Sequence, residues 1–82
     1  MPATHQLPPL DLSTDEPLEP VAKIFNDLTG TRPHPTTVVR WCAGRGAGGI
    51  KLPSILAGGR RVSKRSVCRD WLQAVNDART SR

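Results

Sequence analysis

The chain has few aromatic and few sulfur-containing residues. Its 82 residues include one Phe, two Trp, no Tyr and two Cys. A chain of this length forms one domain at most and buries only about 60% of its unfolded surface, so Trp41 and Trp71 are expected to anchor a small core. Two cysteines are too few for a disulfide framework, and we interpret Cys42 and Cys68 as reduced, half-buried thiols.

Long apolar runs are also missing. No stretch approaches the roughly 18 consecutive apolar residues of a membrane-spanning helix. Residues 1–12 lack the basic head and apolar run of a secretory signal. We therefore expect a cytoplasmic protein without a membrane partner.

The residues that support catalysis are scarce. Only His5 and His34 could act as bases near neutral pH. These histidines and the two cysteines, Cys42 and Cys68, lack the short pair spacings of a zinc site. The glycine run at 44–49 is not followed by the Lys-Ser/Thr pair of a phosphate-binding loop, so it is interpreted as a flexible connection. The sequence thus predicts no enzyme, no metal and no cofactor.

Charge is divided between the two parts of the chain. Residues 1–30 hold five acids and one base, whereas residues 31–82 hold eleven bases and two acids, for a net charge of +5. A strongly basic segment that also carries structure indicates a polyanionic partner, because neutralised phosphates release counterions.

The chain divides into a disordered leader at 1–16, a folded domain at 17–78 and a frayed tail at 79–82. The leader is predicted from its prolines and its lack of periodicity. The first helix is expected from Glu19 or Pro20 to about Leu28, with Pro20 in the first turn and Gly30 as the stop. Its apolar stripe follows helical spacing at Val21, Ile24, Phe25 and Leu28.

Two further helices are predicted. One runs from Pro35 to about Ala43, with Val38, Trp41 and Cys42 on one side and Thr36, Arg40 and Ala43 on the other. The other has Ser63 as its N-cap and extends to about Ala78. Its apolar positions are Val67, Trp71 and Val75, with Cys68 and Leu72 beside them.

A two-stranded hairpin is predicted between these two helices. Gly58-Gly59 separates two short extended runs, Ser54 to Ala57 and Arg60 to Val62, which is typical of a type I′ or II′ turn. Ile50 to Leu52 is a further extended run. The order of helix, turn, helix, hairpin and helix indicates a mainly α fold with a small β-hairpin, a winged helix-turn-helix.

Three groups of residues support DNA binding. Thr36 and Arg40 point outward from the second helix, the element that enters a major groove in such proteins, with Thr37 at the flank. Arg60 and Arg61 lie at the hairpin tip, which suits a minor groove or phosphates. The basic residues Lys64, Arg65 and Arg69 begin the last helix, where they oppose its dipole and indicate a partner anion.

Three segments resemble a known group of domains: HPTTVVRW at 34–41, GRGAGGIKL at 44–52 and AGGRRVSKRSVCRDWL at 57–72. They resemble the excisionase-like branch of the MerR-type winged helix-turn-helix superfamily, especially small bacterial domains of unknown function. The likeness covers about residues 18–76. The chain departs from that pattern at His34, where Ser is usual, and at Val39, where an aromatic or polar residue is common.

The resemblance implies a role for individual positions. It implies that Thr36, Thr37, Val39 and Arg40 face the major groove, that Arg60 and Arg61 belong to the wing, and that Val38, Trp41, Trp71 and Leu72 are core. With the charge argument, the predicted DNA-binding set is Thr36, Thr37, Val39, Arg40, Arg45, Arg60, Arg61, Lys64 and Arg65.

The predicted partner is double-stranded DNA, in excision or in transcription regulation. Further copies of the chain, or a recombinase or regulatory protein, could act beside it on the DNA. The alternative is a protein-interaction module that uses the same basic face, which the acidic leader could mask. RNA binding ranks lower, because no exposed aromatic side chains are expected that could stack on unpaired bases.

Overall fold

Three helices and a small antiparallel sheet make up the fold, in a computed structural model that describes residues 7, 9–45 and 49–80. The helices are α1 (Val21–Thr29), α2 (Pro35–Ala43) and α3 (Arg65–Thr80). The strands are β1 (Glu19–Pro20), β2 (Ile55–Ala57) and β3 (Arg60–Ser63), in the spatial order β1-β3-β2. The predicted order of helix, helix, hairpin and helix is found, and a third strand makes the architecture mixed α/β.

The strand β1 corrects the prediction of a two-stranded ribbon. Glu19 lies opposite Ser63 and Pro20 opposite Val62, so β3 is the central strand. Pro20 has ψ 133° and is the N-cap of α1, not a residue of its first turn. A proline lacks a backbone N–H, so it fits the outer strand of a sheet, where that donor is not needed.

The hairpin and the end of α1 both depend on glycine. Gly58 and Gly59 have φ values of 58° and 78°, and two consecutive positive φ angles define a type I′ turn. This turn matches the twist of the flanking strands and pairs Leu56 with Arg61. Gly30 ends α1 in the left-handed region, and its N–H donates to the Asn26 carbonyl at 2.9 Å.

Ser63 is not the N-cap of the last helix, which corrects that prediction. It is the final residue of β3, and its hydroxyl donates to the Pro53 carbonyl at 2.7 Å. The helix begins two positions later at Arg65 and extends through Thr80, past the predicted end at Ala78. A serine suits both an N-cap and the end of a strand, and only the strand pairing distinguishes the two places.

All three aromatic side chains meet in the core. The ring centroids of Phe25 and Trp41 are 4.9 Å apart, those of Trp41 and Trp71 are 5.0 Å apart, and those of Phe25 and Trp71 are 5.7 Å apart. The indole N–H of Trp71 donates to the Ile50 carbonyl at 2.9 Å. The buried apolar residues around them are Val21, Ile24, Val38, Ile50, Leu52, Cys68 and Val75. Trp41 is half-buried, and Trp71 is the anchor that is fully enclosed.

The segment after α2 returns to the core without forming a strand. Gly44 has φ 74°, a left-handed conformation that favours glycine, and a Cβ built there would also lie 2.8 Å from Cγ of the Lys51 side chain. The Leu52 N–H donates to the Trp41 carbonyl at 3.0 Å, which ties the loop to the end of α2. The flexible connection predicted for the glycine run falls largely on residues 46–48, outside the described residues.

The two cysteines differ more than predicted. Cys68 is fully buried, and burial raises the pKa of its thiol to about 12. Cys42 is half-buried and accepts a hydrogen bond from the Ser54 hydroxyl at 3.1 Å. Both are free thiols.

Part of the predicted leader contacts the domain. The structure describes Leu7 and residues 9–16, while residues 1–6 and Pro8 lie outside it. Leu7 packs against the core, and Leu7, Pro9 and Leu10 line a cavity of about 380 Å³ together with residues 51–55. In the described part of the chain, no helix has the length and apolar composition needed to cross a membrane.

Candidate nucleic-acid interface

The start of α3 is surrounded by acidic groups from the N-terminal part of the chain. Lys64 is 3% exposed, and its ammonium group donates to the Asp11 carbonyl and to the Thr14 hydroxyl. Arg65 donates from Nε to Oε2 of Glu19 at 2.8 Å and from Nη2 to Oδ2 of Asp27 at 2.5 Å. Two of the predicted DNA-binding residues are therefore engaged within the chain.

The hydrogen bonds of Arg65 change the pKa of Glu19 and of Arg65 itself. Hydrogen bonds from Arg65, and then from Lys23, lower the pKa of the Glu19 carboxyl below its ordinary value. The hydrogen bonds that Arg65 donates to Glu19 and Asp27 raise the pKa of Arg65 in turn. Arg65 and Glu19 thus each favour the charged form of the other.

Glu16 serves as the anion at the N-terminus of α3. Its carboxylate accepts from the Ser66 backbone N–H at 2.9 Å and from the Ser66 hydroxyl at 2.5 Å. These hydrogen bonds lower the pKa of Glu16. The sequence indicated a partner anion for the basic start of this helix, and the structure supplies that anion from the same chain.

A different set of basic residues surrounds a groove between α2 and the hairpin. The groove has a volume of about 500 Å³ and runs between the turn that precedes α2 and the tip of β2 and β3. Arg32 belongs to the turn, and Arg60 and Arg61 belong to β3. None of the residues lining it in the described part of the chain is acidic.

Two apolar side chains in this groove remain open to solvent. Val39 on α2 is 54% exposed and Leu56 on β2 is 64% exposed. Leu56 is the cross-strand partner of Arg61, so the two side chains share one face of the hairpin. The walls of the groove therefore combine guanidinium groups with apolar surface.

The outer face of α2 carries the other predicted residues. Thr36, Val39 and Arg40 are exposed. Val39 and Arg40 follow Thr36 by three and four positions, so both neighbour it on the helix surface, while Thr37 is half-buried at its side. His34 precedes the helix, and its Nδ1 accepts from the Thr36 N–H at 3.1 Å. This histidine performs the capping role for which serine is usual.

Arg45 lies just past the other end of α2. Its backbone N–H donates to the Arg40 carbonyl at 2.9 Å, and the residue is exposed. It does not line the groove. The structure thus brings together Val39, Arg60 and Arg61, holds Thr36, Thr37 and Arg40 on the adjoining helix, and separates Lys64 and Arg65.

Sequence reasoning missed Arg32 and Leu56. Arg32 stands in the short turn between the first two predicted helices. Its position beside the N-terminus of a helix with an outward-facing polar side is the signal that could have identified it. Leu56 gave no such signal, because an apolar residue in a short strand is normally interpreted as core.

Family comparison covers the same elements. Residues 20–76 match the model of a family described as a protein of unknown function, DUF1580. The chain belongs to the DUF1580 family. The matched range of this DUF1580 member begins at the N-cap of α1, includes α2 and the hairpin, and ends within α3. No curated protein and no solved structure matches the chain.

Proposed function

We propose that this DUF1580 protein binds double-stranded DNA as a winged helix-turn-helix module. α2 would enter the major groove and the β2–β3 hairpin the adjacent minor groove, in an excisionase-like or transcription-regulatory role in the cytoplasm. We propose a binding protein and not an enzyme.

One observation carries this proposal: the basic side chains fall into two sets. Arg65 is paired with the carboxylates of Glu19 and Asp27. The buried Lys64 donates to the Asp11 backbone carbonyl and the Thr14 hydroxyl. Arg32, Arg60 and Arg61 have no carboxylate within salt-bridge distance among the described residues. Since the acids are concentrated at the start of α3, the groove and α2 retain an uncompensated positive charge, which favours a polyanion.

Salt-dependent binding tests the proposal. Fluorescence anisotropy with a short random-sequence duplex, between about 50 and 200 mM salt, should show a linear loss of log affinity with log salt concentration. The double substitution Arg60→Ala and Arg61→Ala removes two charges at the hairpin tip. It should reduce the slope by about 2 and weaken binding to all sequences.

The matched control removes two charges elsewhere. Arg69→Ala with Arg79→Ala makes the same charge change on exposed positions of α3 that do not line the groove. A non-specific effect of net charge would lower the slope equally in both double variants and would contradict the docking proposed here. Absence of DNA binding by the parent protein at low salt would contradict the function itself.

Specific recognition is expected to depend on Arg40. This side chain is exposed on α2 and could bond a guanine through both guanidinium nitrogens. Arg40→Ala should cost about 1–3 kcal/mol on a selected site and relax specificity there, with less effect on random DNA. Selection of binding sites with the parent and the variant would measure both.

The second candidate is a protein-interaction module that uses the same groove. The exposed Val39 and Leu56 beside three arginines favour it, because an acidic peptide with apolar side chains would match that surface. Competition of such a peptide against labelled duplex distinguishes DNA binding from protein interaction. Tighter binding of the peptide, with no salt-dependent binding of DNA, would favour this candidate.

A further inference from the structure

The turn that precedes α2 holds Arg32 in a restrained backbone. The Thr29 hydroxyl donates to the Phe25 carbonyl at 2.7 Å and accepts from the Thr31 N–H at 3.3 Å. Pro33 follows Arg32 directly and restricts its conformation. Much of the backbone ordering needed for an interaction at Arg32 is therefore complete in the folded protein, which reduces the entropy lost on binding.

The groove has positive charge on two opposite walls. Arg32 lines the wall formed by the turn, and Arg60 and Arg61 line the wall formed by the hairpin, where these consecutive residues of β3 leave the strand on opposite faces. Arg61 shares its face with Leu56 and also borders the second cavity. A guanidinium group has a planar fork of N–H donors that matches phosphate oxygens. An anionic chain passing along the groove would meet donors from both sides.

The apolar surface between these walls indicates what kind of anion fits. A free phosphate would use the arginines alone and leave Val39 and Leu56 in water. A sugar–phosphate backbone alternates anionic phosphates with largely apolar deoxyribose units, so it would cover both kinds of surface. Burial of exposed Val39 and Leu56 would add the hydrophobic contribution that a small anion cannot supply.

We propose that the groove between α2 and the β2–β3 hairpin binds the sugar–phosphate backbone of one DNA strand. Arg32 donates to phosphate from one wall, Arg60 and Arg61 donate from the other, and Val39 and Leu56 contact the sugars. This inference rests on the proposed function and deepens it. It assigns the DNA strand that lies between α2 and the hairpin to the groove, and it adds Arg32 as a binding residue.

Arg32→Ala tests the assignment in full-length protein. With random-sequence duplex, losing one phosphate contact should reduce the slope of log affinity against log salt by about 0.9, which corresponds to about an eightfold loss at 0.1 M salt. The loss should be the same for unrelated sequences. The control Arg79→Ala removes the same charge from an exposed position of α3 outside the groove, and its slope should stay close to that of the parent.

Leu56→Thr tests the apolar part separately. Threonine is a good strand residue, so β2 should be retained while the apolar contact is lost. Affinity for duplex should fall with no change in slope, because no counterion is released by an apolar contact. Inorganic phosphate should compete only at far higher concentration than duplex in the parent, and its competition should be insensitive to Leu56→Thr.

The outcomes separate this inference from the proposed function. Salt-dependent binding by the parent, with equal slopes for Arg32→Ala and Arg79→Ala, would overturn the groove assignment and leave DNA binding intact. Absence of salt-dependent binding by the parent would overturn both. Far-ultraviolet circular dichroism should show unchanged folding for Arg32→Ala, since this side chain is exposed.

Discussion

Replacing Trp71 by phenylalanine tests whether the aromatic cluster stabilises this small domain. The indole N–H donates to the Ile50 carbonyl at 2.9 Å, and both residues are 1% exposed. Phenylalanine has no donor, so Trp71→Phe leaves that carbonyl buried without this partner. A loss of this kind costs about 1–3 kcal/mol.

The smaller ring adds a loss of packing. Phenylalanine is about 40 Å³ smaller than tryptophan, and an unfilled space of that size costs about 1 kcal/mol. The contacts at risk are those with Phe25 and Trp41, whose ring centroids lie 5.7 and 5.0 Å from that of Trp71. The total is about 2–4 kcal/mol. This is a large share of the free energy of unfolding, which in folded proteins is roughly 0.05–0.15 kcal/mol per residue.

Urea denaturation followed by circular dichroism measures this change as a lower midpoint at constant m-value. In a thermal transition, each kcal/mol corresponds to about 4–8 °C for a domain of this size. Benzothienylalanine at position 71 keeps the double ring and lacks the N–H, so it should lose only the hydrogen-bond part. Val39→Ala is the control, because Val39 is 54% exposed and should change stability by less than about 0.5 kcal/mol. A Trp71→Phe variant as stable as this control would refute the reasoning.

Three further predictions follow from the turn, the helix terminus and the thiols. Gly59→Ala should cost about 1–2 kcal/mol from backbone strain alone, because φ is 78° and no atom lies within 4 Å of the added Cβ; D-alanine there should restore the midpoint of urea unfolding. The pKa of Glu16 lies below its ordinary value of 4.5, so its contribution to stability is present above pH 4.5 and is lost as the pH falls through the folded-state pKa. Melting temperatures across this range should decline less steeply for Glu16→Gln, and parallel profiles would contradict the role assigned to this carboxylate. A thiol reagent at pH 8 should modify Cys42 in the native protein and Cys68 only on unfolding, since Cys68 is fully buried with its pKa raised to about 12; equal rates would contradict its placement.

Several elements could be predicted because local chemistry decides them. Pro35 and Gly44 mark the two ends of α2, since proline suits a first helical position and glycine a left-handed C-cap. Gly58-Gly59 predicts its turn in the same way. The apolar spacing of α1 identified Val21, Ile24 and Phe25 as core, and all three are buried.

The elements that were missed depend on distant partners. β1 has two residues, which is too short for any periodicity, and it exists only because β3 provides hydrogen-bonding groups beside it. Ser63 has a side chain suited to an N-cap, yet Pro53, ten positions away, accepts its hydroxyl. Arg32 lines the groove because α1 packs against both α2 and β3, which brings the turn and the hairpin to one surface.

The sequence by itself determined the helices, the type I′ turn, the apolar stripes and the separation of acidic from basic residues along the chain. These properties depend on residue types at short spacing, and a linear chain carries that information directly. Only the tertiary structure decided which basic residues are engaged within the chain. Asp11, Glu16 and Glu19 contact Lys64, Ser66 and Arg65 respectively, about 50 positions away, and these contacts form only when the chain folds. Charge interactions act through space, so the remaining positive groove of Arg32, Arg60 and Arg61 is a property of the fold.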